Sequence, residues 1–522
     1  MMPAVHDTTP PNIILICTDQ MRHDALGCTG NSVAMTPHID RLARAGSRFA
    51  NHITPCQICA PSRASLFSGR MARDHGLTHN GMALAEDKLL FTHLLQQAGY
   101  RTHGIGKFHF QPILAAAEHQ MPESNAFWQT PASADWTGPY FGFDTVAFVI
   151  GESFASTRGG HYGRWLHENH PEVVELYLPE NSLDDEPDEM DEVWRSAVPP
   201  EYHYNTWIAH QAADFITAED HTAPFFMFVS FPDPHHPFSP PGAYADLFDP
   251  MAMPMPAVVA GELDRMPDYI GKQIWVEGTG TSITYKEFLA SGTVSIEQGT
   301  WQRTAEFSEM SMRRIIAYTH ALNKMIDDGV GRIMAALEAR GLAENTVVMF
   351  TSDHGELLGD HGLIRKGPMP YRQLLNIPLV ISGAAAGRGQ VIPALTSHLD
   401  LMPTILDLAR IDHAGGDGFS LMPLIRGEAS ALRDFAYGEY HPRTVRNQYN
   451  HSIITADERL TLYPQAEAEG WGEYFDHRDD PGEHHNRYHD PACQNRINAL
   501  RQQLQDDLPA APRAGNKVLG IY

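Results

Sequence analysis

The residues with the clearest potential for chemistry lie at positions 59–70, which read Cys-Ala-Pro-Ser-Arg-Ala-Ser-Leu-Phe-Ser-Gly-Arg. Pro61 suits the first turn of a helix, where a backbone N–H is not needed, and Gly69 suits a helix end. Cys59 would then stand at a helix N-terminus, where free N–H groups and the helix dipole favour anions. Arg63, one turn further on, could neutralise a charged oxyanion. The stretch therefore predicts a cysteine beside an anion-binding helix N-terminus.

Cys56 and Cys59 also form a Cys-x-x-Cys pair, which can be a redox pair or half of a zinc site. A four-thiolate zinc site needs a second pair, and the other cysteines are scattered along the chain at Cys17, Cys28 and Cys493. A thioredoxin-like pair should open a helix in a much smaller domain. We therefore interpret Cys56 as a small buried residue and keep the redox pair as an alternative.

Two polar pairs follow apolar runs that predict buried strands at 12–18 and 346–352. In open α/β sheets, ligands bind beyond the carboxyl ends of the strands. Two carboxylates, a carboxamide oxygen and an imidazole form a credible site for a divalent cation. The four residues are Asp19, Gln20, Asp353 and His354.

The elements that must position these groups alternate between strands and helices, which indicates an α/β fold with a mostly parallel sheet. Further strands are predicted at 101–105, 224–230 and 379–382, and helices at 36–45, 91–98 and 318–339. Past residue 400 the pattern predicts a hairpin over 451–463, a strand over 473–477 and an amphipathic helix over 494–508. We therefore divide the chain into a catalytic domain, residues 1–400, and a C-terminal α+β subdomain, residues 401–522, with a short antiparallel sheet, a helix and a tail. Insertions are expected around 178–200 and 251–304.

The amino-acid composition limits the classes of molecule that the protein can bind. The chain has 522 residues, with 38 Lys plus Arg against 64 Asp plus Glu and a net charge of −26. This balance argues against nucleic acid and against an anionic membrane surface. The N-terminus lacks the basic and apolar regions of a signal peptide, and no run reaches the length of a membrane span. We expect a cytoplasmic protein that binds a small anionic substrate in a local basic pocket.

Several blocks resemble the type I sulfatases and stand in the same order as in that family. They comprise the Cys-x-Pro-Ser-Arg stretch at 59–70 and residues 12–20, 36–43, 106–109, 234–237, 352–356, Lys366 and 476–486. The resemblance implies an alkaline-phosphatase-like fold, with a large mostly parallel sheet flanked by helices and a smaller C-terminal α+β subdomain.

The resemblance also implies how the site works. In this family a formylglycine-generating maturation enzyme oxidises the cysteine, here Cys59, to Cα-formylglycine (3-oxoalanine), whose hydrate is the nucleophile. One divalent cation, Ca²⁺ or Mn²⁺, would be held by Asp19, Gln20, Cys59, Asp353 and His354. The ester oxygens would be neutralised by Arg63, Lys107 and Lys366. His235, together with Lys366, would protonate the leaving alcohol or phenol, and His109 would be the base that lets sulfate leave the covalent hemiacetal. We expect hydrolysis of sulfate monoesters, aryl sulfates in particular.

Some residues depart from the family pattern. Many sulfatases carry a second acidic residue in place of Gln20 and Asn in place of His354. The Gln-and-His version resembles bacterial phosphonate monoester hydrolases and a related group of arylsulfatases. Asn80 resembles a substrate-contacting residue of the phosphonate group, whereas Lys107 and His109 are the sulfatase pair. A phosphonate monoester or phosphodiester hydrolase, a choline sulfatase and a non-catalytic metal-binding protein remain alternatives.

The sequence leaves two role assignments open between neighbouring residues, and it also leaves open what the C-terminal tail contacts. His235 competes with His236, and Lys366 with Arg365, and in each case the family pattern favours the first. The apolar segment 516–522 is long for a free tail, so we predict that it packs on a neighbouring subunit of a homo-oligomer, a dimer or a tetramer.

Overall fold

The structure is a computed structural model that describes residues 10–190, 192–218, 222–266, 301–384, 386–387, 389–413, 415–441, 449–464, 470–508 and 519. Within these ranges, no helix combines the length and the apolar character needed to cross a membrane. Most of the predicted insertion at 251–304 and of the tail at 516–522 lies outside them. Leu519 is described, and its backbone N–H donates to Gly81 O of the same chain at 3.1 Å.

An eight-stranded sheet forms the centre of the molecule, with strand order β10-β2-β9-β7-β1-β5-β3-β4. β9 runs antiparallel to its neighbours β2 and β7, and the other pairings are parallel. The strands are β1 Asn12–Thr18, β2 Ser47–Ile53, β3 Arg101–Gly106, β4 Thr145–Phe148, β5 Phe225–Phe231, β7 Thr346–Ser352, β9 Leu379–Gly383 and β10 Gln390–Ser397. The predicted mostly parallel α/β sheet is confirmed.

Helices cover both faces of the sheet, which explains why the central strands are apolar throughout. In β1, Ile13 and Leu15 pack into one core, whereas Ile14 and Ile16 pack into the other. This alternation follows from the two-residue period of a strand. The first core is closed by α2 Cys59–Ser68, α4 Phe91–Gln97, α11 Leu401–Leu408 and α12 Met422–Ile425, and the second by α1 Pro37–Ala45, α5 Gly160–Asn169, α7 Tyr204–Thr217 and α9 Glu309–Ala339. Shorter helices are α3 Ala72–His75, α6 Pro171–Val174, α8 Gly242–Ala245 and α10 Arg372–Leu375.

In the central sheet the sequence pattern does not predict β2, β4 and β10, and among the helices it predicts α9 too short. β4 has only four residues at the edge of the sheet, and β2 and β10 mix buried residues with half-buried or exposed ones. The first two turns of α9 pack Met312, Ile315 and Ile316 into a third core with Phe238 and Phe248. These partners come from a distant part of the chain, so local periodicity could not indicate the start of the helix.

The C-terminal region contains a four-stranded antiparallel sheet, β11-β12-β13-β14, and the helix α13 Gln494–Asp507. Its strands are Ala436–Tyr440, Asn450–Ile454, Glu458–Leu462 and Gly472–Asp476. A separate two-stranded sheet pairs β6 Trp301–Arg303 with β8 Leu363–Arg365. The predicted hairpin, strand and amphipathic helix are present. Because α11 and α12 pack into the first main core, we propose that the boundary of the subdomain lies after Ile425; the division at residue 400 stays a prediction.

Glu439 joins this C-terminal sheet to α3, which directly follows α2, the motif helix that carries Cys59 and Arg63. The fully buried carboxylate accepts hydrogen bonds from the backbone N–H and from Nε of Arg73, each at 2.8 Å. Burial raises the pKa of Glu439, but His441 and Arg73 outweigh this and lower it to about 2. A carboxyl group whose pKa is lower in the folded than in the unfolded state stabilises the fold at pH values above its unfolded-state pKa. This stabilisation is lost as the pH falls through the folded-state pKa.

We therefore expect Glu439→Gln to remove part of the acid sensitivity of the protein. Between pH 6 and pH 3 the wild type should lose about 2 kcal/mol more unfolding free energy than the variant, as measured by urea unfolding. Glu428→Gln changes an exposed carboxylate and serves as the control, with the acid sensitivity of the wild type. Equal acid sensitivity of the wild type and the Glu439 variant would contradict the prediction.

Candidate active site

Cys59 begins α2 and is completely buried. Its Sγ lies 3.1 Å from Lys366 Nζ, 3.2 Å from His354 Nε2 and 3.7 Å from Asp19 Oδ1. Burial, followed by the charge of Asp19, raises the pKa of the thiol to about 12. Asn80 Oδ1 accepts the N–H of Ala60 at 3.1 Å, so it satisfies one of the free N–H groups at the start of the helix. The sequence therefore predicts correctly that residue 59 stands at a helix N-terminus.

The two strand-end pairs meet beside this cysteine, because β1 and β7 are neighbours in register in the sheet. The potential metal-coordinating atoms of Asp19, Cys59, Asp353 and His354 all lie within 4.8 Å of one another, and all four residues are buried. His354 Nδ1 lies 2.9 Å from Gly355 O, a contact that requires a proton on Nδ1 and leaves the Nε2 lone pair facing the cluster. A carbonyl that fixes the tautomer in this way is typical of histidine metal ligands. The donor set therefore fits a divalent metal.

Arg63 lies behind the two carboxylates and is fully buried. Its Nε donates to Asp353 Oδ2 at 2.8 Å, and its Nη2 donates to Asp19 Oδ2 at 3.2 Å. Nη1 donates to Lys107 O and Ser230 Oγ, each at 2.8 Å. The guanidinium is thus occupied in holding the strand ends and the carboxylates in place, and this arrangement favours a positioning role over direct contact with an ester.

Gln20 lies at the edge of the cluster with a positive φ of 69°. Its side-chain oxygen accepts from Lys366 Nζ at 2.7 Å, and its side-chain nitrogen donates to Glu356. A carboxamide oxygen has two lone pairs, so Gln20 can hold Lys366 and still turn a lone pair toward a metal. Arg365, in contrast, forms an ion pair with Glu192. Of the two adjacent cations, the structure brings Lys366 to Cys59.

Comparison with known proteins identifies the family. A profile described as Sulfatase matches residues 11–411, which is more than half of the chain and includes the motif helix and both polar pairs at the strand ends. The chain belongs to the sulfatase family. A second profile, described as N-sulphoglucosamine sulphohydrolase, C-terminal, matches residues 359–509. The protein is therefore a sulfuric ester hydrolase.

Individual relatives span almost the whole sulfatase chain. It is 28% identical over 536 residues to an arylsulfatase of Clostridium perfringens, covering 98% of each protein. It is 29% identical over 474 residues to the multifunctional alkaline phosphatase superfamily protein PehA of Trinickia caryophylli, covering 87% of this chain and 85% of that one. The crystal structure of a phosphonate monoester hydrolase of Agrobacterium radiobacter has the same fold, with a TM-score of 0.73, 23% identity and 95% coverage of both chains.

The sulfatase site includes a carboxylate that the sequence did not reveal. Lys107, buried at the end of β3, donates to Asp19 Oδ2 at 2.8 Å and forms an ion pair with Glu152. Glu152 is buried, and burial raises its pKa although Lys107 opposes the shift. Its position just after β4 was the available indication, but β4 itself was not predicted. Glu356, which contacts Gln20, was missed as a site residue although its block was recognised.

The buried surroundings of the histidines in the sulfatase site favour their neutral forms. Burial lowers the pKa of His235, and the nearby His236 and Lys366 add to the effect. His235 is 1% exposed, its Nδ1 lies 2.6 Å from His236 O, and its ring stacks on that of His236 with centroids 4.0 Å apart. Burial also lowers the pKa of His109, followed by the charges of Lys107 and Arg63. In both cases the charges of neighbouring cations add to the effect of burial on the pKa.

Cys56 is buried against Ile58 and Tyr440, and both it and Cys59 are free cysteines. The redox pair that the Cys-x-x-Cys spacing suggested therefore gains no support, and Cys56 is the small buried residue that we predicted. Asn80, predicted to contact substrate, uses its oxygen to cap the motif helix. Its contribution to substrate binding stays a prediction.

Proposed function

We propose that the protein hydrolyses aryl sulfate monoesters with a formylglycine derived from Cys59 as its nucleophile. The observation that carries the proposal is the placement of residue 59, whose side chain is surrounded by a cation, an imidazole and a carboxylate within 3.1–3.7 Å. In the mature enzyme the oxygens of the aldehyde hydrate would take the place of Sγ. Such a side chain requires a formylglycine-generating enzyme as a maturation partner.

Asp19, Gln20, Asp353 and His354 would hold one divalent metal at this position. When bound, such an ion polarises the ester and lowers the pKa of the nucleophile. The imidazole of His354 favours Mn²⁺ on ligand chemistry, whereas the wider family favours Ca²⁺. Arg63 aligns two of the carboxylates from behind, so the ligands would keep their arrangement before the ion arrives.

The cations of the site bind and orient the sulfate group. Lys107 and Lys366 both approach the cluster, and each is held by a side chain of the protein, Glu152 and Gln20 respectively. Fixed charges that face the ester oxygens stabilise developing negative charge without reorganisation of solvent. Because both lysines are buried, water screens them little.

Two histidines divide the proton transfers. We assign to His235 the protonation of the leaving phenol oxygen, with Lys366 as its helper. Its pKa is lowered by burial, and the bound anionic ester would raise it again by placing a negative charge beside the ring. We assign the role of base to His109, because a neutral imidazole can accept the proton whose removal releases sulfate.

A phosphonate monoester or phosphodiester hydrolase is the second candidate for the same site. The observation that favours it is the pairing of Gln20 and His354, which lowers the negative charge around the metal relative to many sulfatases. A tetrahedral phosphonate anion would use the same cations and the same leaving-group acid. Lys107 and His109 favour the sulfate ester.

Initial rates will separate these functions. Protein co-expressed with a maturation enzyme and supplied with Mn²⁺ or Ca²⁺ should show a higher kcat/KM on 4-nitrophenyl sulfate than on an aryl phosphonate monoester or on choline sulfate. The Cys59→Ala variant, prepared in parallel, controls for contaminating hydrolases. Phosphonate turnover that exceeds sulfate turnover by orders of magnitude would reverse the order of the two candidates, and activity on none of the esters would refute both.

We also propose a homo-oligomer, a dimer or a tetramer, as the working state. The apolar composition of residues 516–522 supports it. The mass of the assembly in solution, with and without residues 514–522, tests this, and an unchanged mass after truncation would refute the role of the tail.

A further inference from the structure

A second cluster of metal-ligand side chains lies outside the active site. Glu262, His361 and His484 place donor atoms within 4.8 Å of one another. Glu262 Oε1 lies 2.5 Å from His361 Nδ1, and Glu262 Oε2 lies 3.5 Å from His484 Nδ1. Glu262 is 9% exposed and His361 is fully buried. The three residues come from three distant parts of the chain, so their meeting is a product of the tertiary structure.

The His361 ring is held in one orientation. It stacks on Tyr371, with ring centroids 3.6 Å apart and an interplanar angle of 8°, and its backbone has a φ of 58°. Gln373 donates from Nε2 to Gly482 O at 3.3 Å, which turns its Oε1 toward His361 Nε2 at 3.4 Å. The Glu262 carboxylate can only accept, so its contact with His361 requires a proton on Nδ1. Because Gln373 Oε1 can accept a proton held on Nε2, the ring can release the Nδ1 proton when a cation binds at that nitrogen.

The His484 ring is also accommodated by its surroundings. A side chain at Gly482 would place its Cβ 2.7 Å from His484 Nε2 and 2.8 Å from Cδ2, so the glycine leaves the space that the ring fills. The neighbouring Glu483 is buried and bonded to Arg459 at 2.9 Å and to His477 at 2.8 Å. These contacts anchor the loop that carries His484.

Two potential metal-ligand atoms of this cluster, Glu262 Oε2 and His484 Nδ1, lie 3.5 Å apart without a hydrogen bond between them. Among the described residues, neither Glu262 Oε2 nor His484 Nδ1 has a hydrogen-bond partner, although both atoms are buried. A buried carboxylate oxygen opposite an imidazole nitrogen is costly unless a proton or a cation joins them. A metal ion would satisfy both atoms and His361 Nδ1 together.

We propose that Glu262, His361 and His484 form a zinc site. Two imidazole nitrogens and one carboxylate are a ligand set that suits Zn²⁺ and disfavours Ca²⁺ and Mg²⁺, which prefer oxygen ligands. Tetrahedral zinc has a fourth position, which water can fill because the His484 side chain is 18% exposed. The ion would tie the segment around Glu262 to the loop after β7 and to the C-terminal subdomain.

Zinc content and thermal unfolding test this site. The wild type and each variant are stripped with EDTA and then titrated with Zn²⁺ in the presence of a competing chelator. All of these proteins keep the same active site, so any difference in zinc binding comes from the Glu262–His361–His484 cluster. We expect His484→Ala and Glu262→Gln to bind one zinc equivalent less than the wild type and to lose the rise in Tm that Zn²⁺ causes. Gln373→Leu should weaken zinc binding by roughly tenfold to a hundredfold, because it removes the acceptor that orients His361.

His485→Ala is the matched control, since it removes an adjacent exposed histidine and should bind zinc as the wild type does. Circular dichroism establishes that each variant is folded. His484→Ala leaves the Glu262–His361 contact in place, so its fold should persist even if the glutamate variant is unstable. Equal zinc stoichiometry and equal Tm response in the wild type and in His484→Ala would overturn the proposal and identify the cluster as a buried carboxylate–imidazolium pair.

Discussion

Replacing Cys59 with alanine will abolish ester hydrolysis and leave the fold intact. The expected loss in kcat is at least about a thousandfold, because a missing nucleophile is not replaced by the remaining groups of a site. The side chain is small, and the candidate metal ligands around it are held by their own contacts with Arg63, Gly355 and the strand ends. Alanine at this position therefore leaves those contacts in place.

The control for this experiment is Cys56→Ala, three residues earlier. Cys56 is buried like Cys59 but packs against Ile58 and Tyr440, so its variant should keep its activity. Intact-protein mass spectrometry of the wild type checks the modification at the same time. A fully active protein in which Cys59 remains a thiol would disprove the formylglycine mechanism, and an unfolded Cys59→Ala variant would indicate a structural cysteine.

Replacing Arg63 with alanine will destabilise the protein and weaken its binding of the metal. The guanidinium forms ion pairs with Asp19 and Asp353, and all three side chains are completely buried. Removing one partner of a buried ion pair leaves an uncompensated charge, which costs about 3–5 kcal/mol. Asp353 loses its cationic partner here, whereas Asp19 keeps Lys107 at 2.8 Å. We therefore expect a loss of unfolding free energy of about this size, measured by urea unfolding.

Arg70 provides the matched control within the same motif. It is about half exposed and lies 3.9 Å from Asp417, and an exposed pair of this kind contributes about 0–1 kcal/mol. Arg70→Ala should therefore change the stability little and leave metal affinity unaltered. Arg63→Lys keeps the charge but not the fork of donors, so it should restore part of the stability. An Arg63→Ala protein with wild-type stability and metal affinity would show that the arginine acts only on substrate.

Local patterns in the sequence were sufficient to predict the central strands and the motif helix of this sulfatase. β1 and β7 were predicted with their observed bounds, because a strand covered on both faces is apolar at every position. The motif helix was predictable from Pro61, which favours a helix start, and Gly69, which favours a helix end. Both preferences depend only on residues within one or two turns. Asp19 and Asp353 could be placed at one edge of the sheet, because parallel strands end on the same side.

The contacts between distant segments were decided by the tertiary structure alone. The order of strands in the sheet places Glu152 beside Lys107, and it brings Arg63 behind the carboxylates of Asp19 and Asp353. β9 runs against its neighbours, although its sequence looks like that of a parallel strand. Glu262, His361 and His484 are separated by about a hundred residues each, and no local period relates them. The hydrophobic pattern determines which segments form strands and helices. The partners of each side chain depend on how those segments pack against one another, and local patterns in the sequence do not specify that packing.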